Sequence, residues 1–174
     1  TDRRAALDRE VLGMTIELKL QPLTSDAFAP FGDVIEAAGD VDKYINQGKG
    51  AHYHDRAELD FQDGSAGISV FQSEAFSLPI TLDMMERHPE GSQAFLPLSD
   101  KPFVVVVAPD EDGKPGHPIA FITAPGQGMN YHRNTWHGVL TPLHDPGLFA
   151  VVDRIGTGPN LQEHWFEVPF LIVD

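Results

Sequence analysis

Short apolar runs, set apart by turns rich in glycine and proline, make up most of the chain. Ile16, Leu18 and Leu20 alternate with polar neighbours, the period of a half-buried strand. Further runs predict strands over Ile68–Phe71, Leu78–His88, Ala94–Leu96, Phe103–Ala108, Ile119–Thr123, Trp136–Leu140, Leu148–Asp153 and His164–Val173. Pro79 sits inside one of these runs, so that strand either lies at a sheet edge or begins after the proline. Asp110–Gly116, Pro125–Gly128 and Gly156–Asn160 carry turn chemistry. Ser25–Phe31 predicts one short helix, capped by Thr24 or Ser25 and stopped at Gly32. There is no long amphipathic helical pattern, internal repeat or low-complexity linker. Short strands with regular turns between them predict an all-β sandwich or barrel.

Composition narrows this picture. A length of 174 residues suits one domain with its own core. Residues 1–14 read as an N-terminal extension and 15–174 as the domain. The segment Thr1–Leu12 mixes Arg3, Arg4 and Arg9 with Asp2, Asp8 and Glu10, has no apolar stretch, and does not read as a signal peptide. With no cysteine, any metal must be held by His, Asp, Glu or Gln, and a cytoplasmic location is expected. A net charge of −14 argues against nucleic acid as a partner, because the global field repels phosphate. It also means that a small anionic substrate needs a local basic site. No apolar run approaches the length of a membrane span, so no membrane association is expected.

Candidate chemistry concentrates in two places. In Met85–Pro97, Glu86 and His88 are two residues apart and share one face of a strand. A turn at Pro89–Gly91 then brings Gln93 in on the returning strand. The second cluster, Gln127–His137, holds Asn130, His132, Arg133 and His137. Glu86, His88 and Gln93 stand at the three ligand positions of a first cupin motif, and His137 at the histidine of the second. The proline and glycine usual in that second motif are replaced by His132 and Asn134. Arg154 beside Asp153 reads most simply as an ion pair, which leaves room for a binding role as well.

Four longer stretches resemble the ureidoglycolate lyase family: Asn46–Asp55, Glu86–Leu98, Gly126–Leu140 and Val152–Asn160, in one order from about Thr15 to Phe166. His52 departs from the arginine common in that family just before Tyr53, His54 and Asp55. The resemblance implies a cupin-like double-stranded β-helix barrel, usually a homodimer. It implies elimination of urea from (S)-ureidoglycolate to give glyoxylate, with a divalent metal (nickel or manganese) associated with activity in parts of the family.

Such a reaction needs a base for the hydroxyl proton, an acid for the departing nitrogen and a holder for the carboxylate. Histidine suits both proton roles, and arginine suits the carboxylate. His88 and His137 are therefore expected at the centre, as metal ligands or proton-transfer groups. Glu86 is expected to orient one of them or to join the proton transfer, and Gln93 to bond substrate oxygen or urea. A metal, if bound, would take Glu86, His88, Gln93 and His137. Arg133 or Arg154 is the expected carboxylate anchor. Asn46, Tyr53, His54, Asn130 and His132 form a second tier of substrate-binding candidates.

Overall fold

A computed structural model of the protein describes residues 15–174. The expected extension, 1–14, lies outside the described residues. In chain order the elements are β1 (Ile16–Lys19), β2 (Gln21–Pro22), helix α1 (Ser25–Phe28), β3 (Gly32–Ile35), β4 (Lys43–Ile45), β5 (Gly50–His52) and β6 (Ser65–Ser73). They continue with β7 (Ile80–Arg87), β8 (Gln93–Pro97), β9 (Phe103–Ala108), β10 (Asp110–Glu111), β11 (Lys114–Pro115) and β12 (Ile119–Ile122). The last are β13 (Gly128–Tyr131), β14 (Trp136–His137), β15 (Thr141–Pro142), β16 (Gly147–Ile155) and β17 (Gln162–Val173).

Two sheets form a nearly closed, cupin-like barrel. One runs β1-β17-β7-β14-β9-β12-β2, with β15 also on β9; the other runs β3-β13-β8-β16-β6. The core between them joins Val105, Val107 and Phe121 of the first sheet to Phe95, Met129, Phe149 and Val151 of the second. The opposite face of the first sheet carries its own cluster, with Leu82, Val104, Val106, Trp136 and Ile172. Strand β9 thus buries odd residues in one core and even residues in the other, which is why Phe103–Ala108 is apolar throughout. Among the described residues no helix is long and apolar enough to cross a membrane.

The expected strands are present, with shifted ends. Strand β7 starts directly after Pro79 and lies inside its sheet between β17 and β14, so the proline marks a start and not an edge. The run expected as a strand over Trp136–Leu140 pairs only at its first two residues. The chain then arches away and rejoins β9 at Thr141–Pro142, leaving Val139 and Leu140 to line a cavity. The helix is shorter than expected: Thr24 caps it by accepting from the Ala27 amide at 3.2 Å, but Pro30 has no N–H to extend it. Strands β3 and β13 were not expected. They approach so closely that a Cβ at Gly32 would overlap the Asn130 carbonyl, so glycine is required there. The turn at Pro89–Gly91 does not join two paired strands. It carries the chain across from one sheet to the other, since β7 pairs with β14 and β17 whereas β8 pairs with β13 and β16.

Candidate active site and metal centre

Register builds the site. Glu86 on β7 pairs directly with His137 on β14, and His137 pairs with Val107 on β9. Val107 belongs to the inter-sheet core, so Glu86 and His137 face the barrel interior. Their neighbours Arg87 and Trp136 face outward, where the guanidinium lies 4.4 Å from the indole centroid. Asp110 accepts from both, at 2.7 Å from Arg87 and 2.9 Å from the Trp136 indole N–H. This external clamp ties β7 to β14 directly behind the two inward side chains.

His88 follows just past the end of β7, its ring centroid 5.1 Å from that of His137. Gln93 enters from the opposite sheet at the start of β8, which lies between β13 and β16, and is paired with Tyr131. Tyr131 stacks on His137 at 4.2 Å with the rings almost parallel. Glu86, Gln93, Tyr131 and His137 line one cavity of about 210 Å³, together with Phe71, Met129, Val139 and Leu140. Ligating atoms of Glu86, His88 and His137 all lie within 4.8 Å of one another.

Hydrogen bonding sets which atoms face inward. His88 Nδ1 lies 2.8 Å from the Asn160 carbonyl, and His137 Nδ1 lies 2.9 Å from the Gly138 carbonyl. A carbonyl can only accept, so Nδ1 carries the proton in each ring and Nε2 of the neutral ring holds a lone pair. Gln93 Nε2 donates to the Asp153 carboxylate at 3.2 Å, which leaves Oε1 as its free end. His88 Nε2, His137 Nε2 and Gln93 Oε1 are all buried without a hydrogen-bond partner. Orphaned buried acceptors are costly, at about 1–3 kcal/mol each, and their gathering marks a site for an electrophilic or hydrogen-donating ligand. A glutamate, two Nε2 lone pairs and an amide oxygen, backed by hydrogen bonds to the far side of each ring, form a donor set that fits a divalent cation.

Burial shapes the protonation states. It pushes the His137 imidazole down to about 3, helped by the charge of His88 and opposed by the bond to the Gly138 carbonyl. His137 is therefore neutral at working pH. Burial raises the Glu86 carboxyl above its ordinary range; His88 opposes the rise and Glu163 adds to it. The Tyr131 hydroxyl is pushed far up by burial and by Glu86, so it stays protonated and available as a donor.

The remaining expected residues lie elsewhere. Arg133 is held by Asp60 at 2.9 Å and by the Pro89 carbonyl at 3.0 Å. Arg154 does not pair with its neighbour Asp153. Its side chain is buried against Asp63 at 2.8 Å and the Phe61 carbonyl at 3.0 Å, because successive strand residues point to opposite faces. Neither arginine lines the cavity, and among the described residues no lysine does either. Asn130 and His132 both bond Asp33, at 3.1 and 3.0 Å, on the outer face of the second sheet. Asn46 sits at positive φ in the β4–β5 hairpin, and the His54 amide bonds Asp42 at 2.9 Å. Tyr53 lies with His52 and Arg56 along a separate, more open cavity of about 610 Å³. Sequence reasoning missed Tyr131, Asp153 and Asn160, all of which touch or aim the inward cluster.

The sequence matches the family model described as Ureidoglycolate lyase over residues 15–173. The Ureidoglycolate lyase of Rhodobacter capsulatus is 57% identical over 156 residues, covering 89% of this chain and 97% of that protein. Its counterpart in Chelativorans sp. is 53% identical over 154 residues, covering 87% and 93%. Ureidoglycolate lyase 2 of Rhizobium meliloti is 52% identical over 159 residues, covering 90% and 98%.

Proposed function

The chain belongs to the ureidoglycolate lyase family, and we propose that it eliminates urea from (S)-ureidoglycolate, releasing glyoxylate, at Glu86, His88, Gln93 and His137. The observation that carries the assignment of the site is a cluster of three buried, unpartnered acceptors around a carboxylate: Glu86, Gln93 and His137 line one small cavity, and His88 joins Glu86 and His137 with ligating atoms within 4.8 Å of one another. In this reaction the hydroxyl O–H is lost, its oxygen becomes the carbonyl of glyoxylate, the C–N bond breaks, and the nitrogen takes a proton to leave as urea. One proton moves from oxygen to nitrogen, and no other atom is exchanged.

Our reading gives Glu86 that proton to carry: as the carboxylate it takes the hydroxyl proton, then returns it to the departing nitrogen. His137, neutral and stacked on Tyr131, offers Nε2 as an acceptor and cannot serve as the acid at working pH. Gln93 Oε1 is suited to accept an N–H of the ureido group. The Tyr131 hydroxyl is a cavity donor that stays protonated throughout, and it fits the substrate carboxylate. Glu86, His88, Gln93 and His137 would hold a divalent metal, nickel or manganese. When bound, such a cation would supply the positive charge that, among the described residues, no lysine or arginine brings to this cavity, and would lower the pKa of a coordinated hydroxyl.

The test is to incubate the pure protein with fresh racemic ureidoglycolate and to quantify urea, ammonia and glyoxylate above the spontaneous rate. Urea with glyoxylate is expected. Ammonia in place of urea would make the protein an amidohydrolase, and neither product would refute both readings. Repeating the assay after chelation, then with Ni²⁺ or Mn²⁺ restored, tests the metal.

The same proposal includes a cytoplasmic homodimer. Strand β6 is a nine-residue sheet edge without a charged side chain, in a chain of net charge −14. Its outer face leaves Ile68 79% and Val70 67% exposed. Two copies meeting there bring no like charges into direct contact and cover both the edge and the apolar face. Sedimentation velocity is expected to give a dimer for the wild type and a folded monomer for I68K/V70K; a monomeric wild type sinks this part.

A further inference from the structure

Gln93 can face the cavity in either of two ways, since its amide has a donating and an accepting end of nearly equal size. The choice decides what the cavity receives. With Oε1 inward it adds a lone pair to those of His88 and His137; with Nε2 inward it would add a donor and repel a cation. Asp153 settles the choice. It lies on β16 two residues beyond Val151, on the same inward strand face, and its Oδ2 is 3.2 Å from Gln93 Nε2. A carboxylate offers only acceptors, so the bond forms only when Gln93 turns its NH₂ toward Asp153. Oε1 is then driven into the interior, where it is buried and unpartnered. Gln93 is 8% exposed, so bulk water does not compete for either end.

We propose that Asp153 is a positioning residue that fixes the Gln93 amide with Oε1 inward, completing a set of lone pairs that accepts a divalent cation. Asp153 performs for Gln93 what the Asn160 and Gly138 carbonyls perform for the two histidines: each acceptor behind the site fixes a donor outward and a lone pair inward. The inference rests on the site assigned above, but not on which reaction occurs there.

The substitution D153N gives Gln93 a partner that can donate, so the amide can turn. The readout is Ni²⁺ affinity of the metal-stripped protein by calorimetry, with KM and kcat for ureidoglycolate alongside and circular dichroism to verify the fold. Ni²⁺ binding is expected to weaken ~10–100-fold in D153N, the usual effect of losing such a backing group. On a Q93A background, D153N is expected to have no further effect, because there is no amide left to aim. Adding Q93E to D153N returns an acceptor-only group to the cavity and is expected to restore Ni²⁺ binding. D153N with wild-type Ni²⁺ affinity, the same loss in the Q93A background, or no Ni²⁺ uptake by the wild type overturns the proposal. If the pattern holds but no urea is released, the lyase reading fails and the positioning role stands. If urea is released while D153N leaves Ni²⁺ affinity unchanged, the reverse is true.

Discussion

The protonation of His137 makes a prediction with a definite sign. Its ring is 2% exposed, and burial holds its pKa near 3 against an ordinary value of 6.5. Between these values the unfolded chain binds a proton that the folded chain refuses. Unfolding therefore takes up a proton in this window, and stability falls as pH falls from 6.5 toward 3. At about 1.36 kcal/mol per pH unit, going from about pH 7 to about pH 5 removes about 2 kcal/mol through this one group. In H137F the titration is gone, while an aromatic ring still stacks on Tyr131. The lost bond to the Gly138 carbonyl shifts the two proteins by an amount independent of pH. Glu86 has the opposite sign, since its raised pKa favours the fold as pH falls, but its charge partners are His88 and Glu163, so its contribution is common to both proteins. Urea denaturation of metal-stripped wild type and H137F at the two pH values is the assay. The wild type should lose about 2 kcal/mol relative to H137F, or about 4–8 °C in Tm for a domain of this size. Parallel losses would show that His137 titrates alike in both states. A relative gain by the wild type would mean that the buried ring is charged.

Three further outcomes follow from the same geometry. H88A and H137A should each lower kcat/KM by ~10²–10⁴-fold, and near-wild-type values in both would remove these residues from the reaction. D110A removes the acceptor shared by Arg87 and the Trp136 indole N–H; a lower urea-denaturation midpoint is expected, and an unchanged midpoint would show the clamp to be idle. Y131F keeps the ring that stacks on His137 but removes the hydroxyl. If that hydroxyl holds the substrate carboxylate, KM should rise by about 1.5–3 kcal/mol, or roughly 10- to 150-fold, with Tm preserved.

How much of the fold could be read in advance depended on burial. Strand β9 is apolar at every position because both of its faces are covered, and its limits were expected to the residue. The nine-residue β6 and twelve-residue β17 were expected as shorter pieces, since the ends of long strands reach past the core into polar sequence. Strands β3 and β13 escaped notice because they are four residues each, begin with glycine and carry a polar residue in the middle. What makes them strands is their mutual approach, and no local pattern encodes that.

The site divides along the same line. That Glu86 and His88 share a face follows from the two-residue period of a strand, and their position next to a turn was plain in the sequence. That His137 stands opposite Glu86 is a matter of register between distant strands, and without the resemblance to a family nothing local would have linked them. Asp153 is the instructive case. Sequence adjacency suggests an ion pair with Arg154, yet adjacent residues on a strand point to opposite sides. The period that placed Glu86 with His88 also places Asp153 with Val151 and Phe149, facing inward. A carboxylate on the inner face of a barrel strand must have a buried partner or lose its hydration unrequited. Gln93, on the adjacent strand β8 of the same sheet, is that partner. Strand period applied to every polar residue, and not only to those in a motif, would have found Asp153 before the fold was known. It would not have found Asn160, whose backbone carbonyl and not its side chain meets His88, because a carbonyl is present at every position and its direction is decided by the fold alone.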